Sequence, residues 1–519
     1  MGYESALPMA EHDPVVAHNL ALCHLALGEY RAAVAQSARA IALNAQLWQP
    51  AIVQAKALSA LGLHEAAIGL LGRVAERLPG NAQVDVALAT LLLQHGGDAA
   101  GAVIRARPWL GTALDRDARI VVLLAQLYDR DERVSPRALS SALCGFAQVH
   151  LQLPDGTADA CSARSRRTRR AAVWRPRVGL LSPQFTVSPV YFFTIGALRL
   201  LANDVDLTFF SRGTKSDWGT EAFRGIARDW VDTSEQPADA LAETLADHDL
   251  DVAIDLGGWM DPVGLSALTA RPARRQYKWV GGQSATTGLK CFDGYLTDQY
   301  QTPDGSDVLF SEPLLRLKGG YVSYTPPPYL PAPVVLRDEA SVTLGVVANP
   351  AKVSRGFLAE LRQRLPAWAV QAQATGRQLR VQFIDQRYGQ AAIRARIEAH
   401  LPSGAAALEF LTPVGHQAYL EAVGRLDAIL DTWPYSGGLT TVEALALGVP
   451  VYTRAGALFC ERHSAAHCVY AGFTLAEIDF DRVKSLPRQG KSVQRLIAAS
   501  ESRSRHDTLA EELLPYLRS

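Results

Sequence analysis

The stretch Asp431-Thr-Trp-Pro-Tyr-Ser-Gly-Gly-Leu-Thr-Thr-Val-Glu-Ala-Leu445 carries residue types that can hold a phosphate. An apolar run ends at Asp431, a Ser-Gly-Gly turn follows, and Thr440 and Thr441 open a segment of good helix formers reaching Leu447. The first N–H groups of a helix have no partner inside it, and the dipole there is positive. With the glycine backbone of Gly438 and two hydroxyls added, the segment reads as a seat for a phosphate or diphosphate. It reads equally well as a Gly-Gly turn with threonine as an ordinary N-cap.

Other clusters call for comparison. Asp204 and Asp206, Asp249 and Asp251, and Asp479 and Asp481 form Asp-x-Asp triplets, the spacing that some metal-dependent glycosyltransferases use for a divalent ion. The first two lie at the starts of apolar strands and read as loop ends, so no metal site is expected. His463 and His467 fall on one helix face by their i, i+4 spacing, but with no third ligand nearby they read as helix packing. Cys23, Cys144, Cys161, Cys291, Cys460 and Cys468 show no Cys-x-x-Cys spacing, which argues against zinc or a disulfide framework and for reduced thiols in a cytoplasmic setting.

The elements that must position the phosphate seat are an alternation of apolar runs and amphipathic segments. Strands are predicted at 177–182, 205–211, 252–256 and 277–280, with helices at 238–247 and 262–270. A proline-rich stretch, 326–333, interrupts the pattern, which resumes with strands at 342–347, 379–384, 428–430 and 450–452. Such alternation predicts an α/β class: two Rossmann-like domains with parallel sheets and ligands at the carboxyl ends of the strands. The boundaries are drawn at 174–330 and 331–475, with a helical tail, 476–519, packing back on the pair.

The first hundred residues repeat. Leu27-Gly28 recurs as Leu61-Gly62 and Ala32-Ala33 as Ala66-Ala67, both 34 positions later, and Gly96 and Ala100 continue the phase. A 34-residue period with small residues on paired helices is the tetratricopeptide signature, so 1–153 is drawn as an all-α array whose groove receives a partner protein, its last part a further repeat or a cap. Residues 154–173 read as a linker; the basic run Arg164 to Arg170 within it lacks interleaved aromatics and reads as solvated.

Composition bounds the partners. The 519 residues carry 52 basic and 52 acidic side chains, a formal net charge of zero. No global field draws nucleic acid or an anionic membrane, so neither is expected as a partner. Met1 to Pro14 contains no apolar run, so no leader peptide is expected, and no stretch approaches the ~20 apolar residues of a membrane span.

Tyr435-Ser-Gly-Gly-Leu-Thr-Thr-Val-Glu-Ala-Leu-Ala-Leu-Gly-Val-Pro450 resembles the nucleotide-binding segment of the O-GlcNAc transferase and SPINDLY group of tetratricopeptide-bearing glycosyltransferases. Collinear matches support it. Arg271-Pro-Ala-Arg-Arg-Gln276, Trp279-Val-Gly and Thr286-Thr-Gly288 resemble the group's R-P-A-P-x-Q, W-x-G-x-P and T-T-G region, and Asp298 falls at its "TD". Val347-Ala-Asn-Pro-Ala-Lys352 resembles F-N-x-x-x-K, and His416-Gln-Ala-Tyr419 resembles H-x-x-A-Y, each one residue shorter. The likeness covers about 174–475. It implies a GT-B fold and inverting, metal-independent transfer of a sugar, with GlcNAc and a UDP-linked donor the leading expectation, to a Ser, Thr or Asn side chain of a partner protein, with no cofactor.

Carried over by motif, Lys352 would neutralise the leaving diphosphate, and Thr440, Thr441 and Gly438 would cradle it. Glu443 would accept from the ribose hydroxyls, Tyr419 would stack on the base and the backbone near Val414 would read its edge. Asn349, Thr286 and Thr287 complete the expected nucleotide-sugar contacts. The chain departs from the group where acceptor and donor sugar meet: Gln184 replaces an Asp, and Ser188, Trp259 and Leu439 stand at positions of common histidines. Asp261 and Tyr191 are the candidate catalytic substitutes. The competing expectation is a non-catalytic adaptor with a degenerate nucleotide-sugar-binding domain; a small-molecule transferase or epimerase of this architecture leaves the array unused.

Overall fold

A computed structural model describes residues 12–154, 156, 175–333, 340–402, 404–482 and 503–518. Cys161 and most of the expected linker and leader region lie outside them, as does 493–502 of the tail. The chain divides into two compact units. One holds the described residues up to 130 together with 349–358 and 387–401; the other holds the rest.

In the first unit, α1 (Pro14–Ala26), α3 (Gln49–Ala60), α5 (Ala82–Gln94) and α7 (Asp115–Tyr128) are the leading helices of successive pairs, and α2 (Tyr30–Leu43), α4 (His64–Arg77) and α6 (Ala99–Ala106) follow the first three. The recurring Leu-Gly has a mechanical reason. Gly28 and Gly62 have φ of +73° and +78°, the left-handed conformation that ends α1 and α3, and the Gly28 and Glu29 N–H groups close onto Leu25 and His24 carbonyls. Ala21, Ala33, Ala51, Ala67, Ala89 and Ala102 are fully buried, and their small size lets the helices approach. The next helix, α8 (Pro136–His150), drawn from sequence with the array, falls in the second unit: Phe146 packs on Trp259 at 6.1 Å between centroids, and the Leu151 carbonyl accepts from Ser266 Oγ at 2.7 Å.

The second unit contains two parallel sheets. The first runs β3-β2-β1-β4-β5-β6-β7, built from β1 (Arg177–Ser182), β2 (Asp206–Ser211), β3 (Asp229–Asp232), β4 (Val252–Asp255), β5 (Arg275–Lys278), β6 (Gly294–Asp298) and β7 (Leu314–Leu317). The second runs β10-β9-β8-β11-β12, from β8 (Ser341–Val346), β9 (Gln378–Ile384), β10 (Ala407–Leu411), β11 (Ala428–Leu430) and β12 (Val451–Tyr452). Each order reverses about its first strand, the doubly wound pattern that places ligands beyond the strands' carboxyl ends. Val178↔Leu207 and Val178↔Val252 fix the register at the centre of the first sheet, and Leu344↔Val381 and Leu344↔Ala428 at that of the second. β3, β6, β7 and β10 are additional to the strands read from sequence; β3 (Asp-Trp-Val-Asp) and β10 sit at sheet edges, where half-buried residues give no continuous apolar run.

The helices that matter for the site are α9 (Pro189–Leu201), α10 (Trp218–Arg224), α11 (Ala238–Asp247), α12 (Pro262–Leu268), α13 (Arg355–Ala374), α14 (Ala391–Glu398), α15 (His416–Gly424), α16 (Leu439–Ala446), α17 (His463–Tyr470), α18 (Leu475–Ile478) and the tail α19 (Arg503–Arg518). Leu509, Leu513 and Leu517 of the tail are buried in the core of the first sheet, alongside α9. Each triplet has an aspartate engaged in an ion pair: Asp249 and Asp251 with Arg274, Asp206 with Arg175, Asp204 with Arg518 and Asp481 with Arg364. Among the described residues no helix is long and apolar enough to cross a membrane.

Candidate functional site

Asp431 follows β11 and organises the phosphate-seat loop. Its Oδ1 accepts the Gly437 N–H at 2.8 Å and its Oδ2 accepts from Thr453 Oγ1 at 2.7 Å. Thr441 is buried; its hydroxyl hydrogen-bonds Ser464 Oγ at 2.6 Å and donates to the Gly437 carbonyl at 3.2 Å. Thr441 therefore builds the loop, while Thr440, half-buried one position earlier, opens α16 with Gly438 at its N-cap. A Cβ on Gly437 would lie 2.7 Å from Thr440 Oγ1 and 2.8 Å from Thr441 Oγ1, so the hydroxyls close over a position that has to be glycine. Gly438 has open space around it. The result is a helix start with unpaired N–H groups, held from beneath by Asp431. Asp431 and Ser464 were not predicted; the acid at a strand's carboxyl end was the signal for the first.

One turn along α16, Glu443 is 1% exposed. His416 Nε2 hydrogen-bonds its Oε1 at 2.7 Å, and His416 Nδ1 meets the Tyr329 hydroxyl at 3.0 Å. Burial pushes the Glu443 carboxyl up, against the lowering effect of His416. Tyr419 is half-buried and stacks on His416, centroids 5.8 Å apart and planes within 14°, while Phe192 covers the same imidazole at 5.2 Å. The expected ribose acceptor and base-stacking ring thus belong to one network centred on His416. Val414, two residues earlier, is 87% exposed.

The acceptor-side candidates are differently placed. Asp261 is buried, accepts the Gly264 N–H at 3.1 Å as the N-cap of α12, and pairs with buried Arg212 at 3.2 Å. Burial pushes its carboxyl up, and both oxygens are engaged, which is the position of a structural anchor rather than an open base. Tyr191 is buried edge-to-face with Phe192, Trp218 and Phe223. Trp259 is buried too, its Nε1 donating to the Thr286 carbonyl at 2.9 Å. Thr286 Oγ1 donates to Glu312 Oε2 at 2.6 Å and the Thr287 N–H to Oε1 at 2.7 Å, so both threonines clasp a buried carboxylate. Ser188 Oγ turns back to the Gln184 carbonyl at 2.9 Å.

Beneath the Gly257-Gly258-Trp259 turn lies a pair absent from the sequence reading. Lys278 and Asp255, 1% and 0% exposed, meet at 3.2 Å, and Lys278 Nζ also donates to the Trp279 and Gly281 carbonyls. Asp255 accepts the Gly257 and Gly258 N–H groups at 3.0 and 2.8 Å. Burial lowers the lysine's proton affinity, opposed by Asp255. A lysine in the otherwise apolar run 277–280 and an acid in the apolar run before it, 252–256, were the available signal.

Lys352 and Asn349 fall in the first unit. Asn349 Oδ1 accepts the Ala351 N–H at 3.0 Å and caps the 3-10 turn Pro350–Lys352. Arg396 on α14 donates to the Pro350 and Val353 carbonyls at 2.9 and 3.0 Å, and Gly97 of the array leaves room for Pro350, which a Cβ there would meet at 2.6 Å. The turn carrying the expected leaving-group lysine is thus anchored to the helical array.

No family model matches the chain. Among curated proteins it is 27% identical over 297 residues to a probable UDP-N-acetylglucosamine–peptide N-acetylglucosaminyltransferase SPINDLY of Solanum lycopersicum, covering 54% of this chain and 30% of the relative. The Arabidopsis thaliana protein of that name is 28% identical over 297 residues, with 31% of it covered. The chain thus spans less than a third of the length of these relatives. Among solved structures, a mutant of Thermobaculum terrenum O-GlcNAc transferase superposes with a TM-score of 0.75 at 23% identity over 97% of this chain and 93% of that one. The fold is therefore GT-B with a helical tetratricopeptide-like array before it in sequence, and the chain is a homologue of the SPINDLY proteins and shares the O-GlcNAc transferase fold.

Proposed function

We propose that the chain is an inverting glycosyltransferase that moves a sugar, GlcNAc by the names of its relatives, from a nucleotide diphosphate to a Ser, Thr or Asn side chain of a partner protein held by the array, in the cytoplasm. The observation that carries the proposal is the start of α16, where Asp431 fixes a loop that leaves helix N–H groups and the Thr440 hydroxyl for a diphosphate. The acceptor heteroatom attacks the anomeric carbon as the bond to the diphosphate oxygen breaks. Charge grows on that oxygen, and α16, Thr440 and Lys352 are the groups assigned to stabilise it, with neither metal nor cofactor required. The Glu443–His416–Tyr419 network is assigned to the nucleoside.

One observation favours a second reading, a nucleotide-sugar-binding adaptor: Asp261 is locked by Arg212, and Trp259 is turned into the core at a position where the group has a polar ring. A single experiment separates them. The full chain is incubated with a panel of nucleotide sugars and host proteins, and nucleotide release and acceptor mass gain are measured. Release with mass gain supports transfer; binding without release supports the adaptor; neither binding nor release sinks both.

A further inference from the structure

The turn that carries Lys352 is seated on the helical array. Asn349–Leu358 and Arg387–Leu401 belong to the array's compact unit. Gly97, between α5 and α6, lies directly against the turn: a Cβ there would stand 2.6 Å from Pro350 Cβ, 3.1 Å from the Pro350 carbonyl carbon and 3.3 Å from the Ala351 nitrogen. These are ring and backbone atoms, not the end of a side chain that can swing aside. Both backbones are held. On the array side the His95 and Gly96 N–H groups donate to the Leu91 carbonyl at 2.9 and 3.0 Å, and the Asp98 N–H to the Leu92 carbonyl at 3.1 Å. On the other side the Lys352 N–H donates to the Asn349 carbonyl at 2.8 Å, and the Lys352 carbonyl accepts the Ser354 N–H at 2.9 Å.

Further contacts pin the same segment. The Pro350 and Val353 carbonyls, which accept from Arg396 at 2.9 and 3.0 Å, bracket Ala351 and Lys352. Asp129, just past α7, pairs with Arg355 at 2.8 Å, three residues beyond the lysine. Gln390 Nε2 donates to the His95 carbonyl at 3.3 Å. The backbone of Lys352 is thus placed by the array and by Arg396. Carbon atoms in contact ordinarily lie about 3.5–4.0 Å apart, so a methyl group on Gly97 requires a displacement of about 1 Å. A misplacement of about 1 Å in a reacting constellation can cost about 10²-fold in rate.

We propose that Gly97 and Arg396 are positioning residues for Lys352, so that the array takes part in the transfer step itself besides receiving a partner protein. The inference rests on the reading of Lys352 as the leaving-group lysine.

The test is a double-mutant cycle on turnover of a working nucleotide sugar by the full chain, with UDP affinity measured by calorimetry and folding by thermal unfolding. Gly97→Ala is expected to lower kcat by about 10- to 100-fold while the Kd for UDP changes by less than about threefold. In the Lys352→Ala chain the same substitution is expected to cost less than about twofold, since no ammonium remains to be misplaced. Gly62→Ala is the control: Gly62 has φ of +78° and nothing within 4 Å of its Cβ position, so alanine there strains the array backbone without touching the turn and leaves kcat unchanged. Arg396→Lys, which replaces the guanidinium fork by one ammonium, lowers kcat severalfold with the same dependence on Lys352 and carries the test if Gly97→Ala misfolds. Equal losses in the two backgrounds, an unchanged kcat in Gly97→Ala and Arg396→Lys, or an equal loss in Gly62→Ala overturns the inference and leaves the role of the lysine standing. No turnover with any donor, or a Lys352→Ala chain as fast as the wild type, removes the reading of the lysine, and the inference falls with it.

Discussion

The imidazole of His416 bridges two residues from distant parts of the chain, meeting buried Glu443 through Nε2 at 2.7 Å and Tyr329 through Nδ1 at 3.0 Å. The histidine belongs to the H-x-x-A-Y segment and the glutamate to the Thr-Thr-x-Glu segment, so two motifs that read separately in sequence are one hydrogen-bonded object. Removing His416 leaves Glu443 buried and under-satisfied, a more severe loss than that of a surface pair.

Glu443→Gln tests that network by its pH dependence. Burial is the largest influence on Glu443 and raises its folded pKa above the ordinary 4.5. A carboxyl whose folded pKa is raised binds its proton more tightly in the folded state, so its contribution to stability is present below pH 4.5 and declines as pH rises through the folded value. Urea unfolding of both proteins at several pH values from 4 to 7 is expected to show the wild type losing stability relative to Glu443→Gln as pH rises. A gap that widens in the wild type's favour would mean that the His416 bond outweighs burial.

Lys278 and Asp255 form the other buried pair, under the Gly257-Gly258-Trp259 turn. Lys278→Met alone strands Asp255, and Asp255→Asn alone strands Lys278; each is expected to cost about 3–5 kcal/mol in urea unfolding. The double variant removes both charges and is expected to cost less than the two losses combined, by at least about 1 kcal/mol. Additive losses would show that the two side chains act independently.

The sequence disclosed most where one physical signal had one cause. The 34-residue repeat reports left-handed glycines and buried alanines, and these recur because each helix pair solves the same packing problem. The apolar runs gave the central strands β1, β4, β8 and β11, buried on both faces, whereas edge strands β3 and β10 are half-exposed and carry no such run. Site residues were legible as segments but not as roles. Thr286 and Thr287 matched a motif, yet what they hold is Glu312, 25 or 26 positions away, and no local spacing encodes that bond. Asp261 read as a spare carboxylate because its partner Arg212 lies 49 positions away on another strand's end.

Lys352→Ala tests the leaving-group role. If the ammonium stabilises the departing diphosphate, its loss is expected to lower turnover of a working nucleotide sugar by ~10² to 10³, in line with removal of one oxyanion donor, with little change in nucleotide affinity. Lys352→Arg keeps the charge but changes its shape and is expected to recover only part of the rate. A drop well below tenfold for the alanine variant would place the role elsewhere.

The phosphate seat itself is tested by two adjacent glycines. Alanine at Gly437 would bring a Cβ to 2.7 Å from the Thr440 hydroxyl and 2.8 Å from that of Thr441, while alanine at Gly438 meets nothing within 4 Å. Neither residue has a positive φ among the glycines that do, so backbone strain does not separate the two variants. Gly437→Ala is expected to push the hydroxyls apart, loosening the Thr441–Ser464 bond and weakening UDP binding by about tenfold or more, the equivalent of one lost charge-assisted hydrogen bond. Gly438→Ala has no protein neighbour to displace, so any loss of affinity there reports the approach of the ligand to the bare backbone. Calorimetric titration of UDP into both variants checks the pair, with thermal unfolding as the control for folding. If UDP binds Gly437→Ala as tightly as it binds the wild type, the diphosphate does not use the Thr440 end of α16, and the seat has to be sought at another helix start.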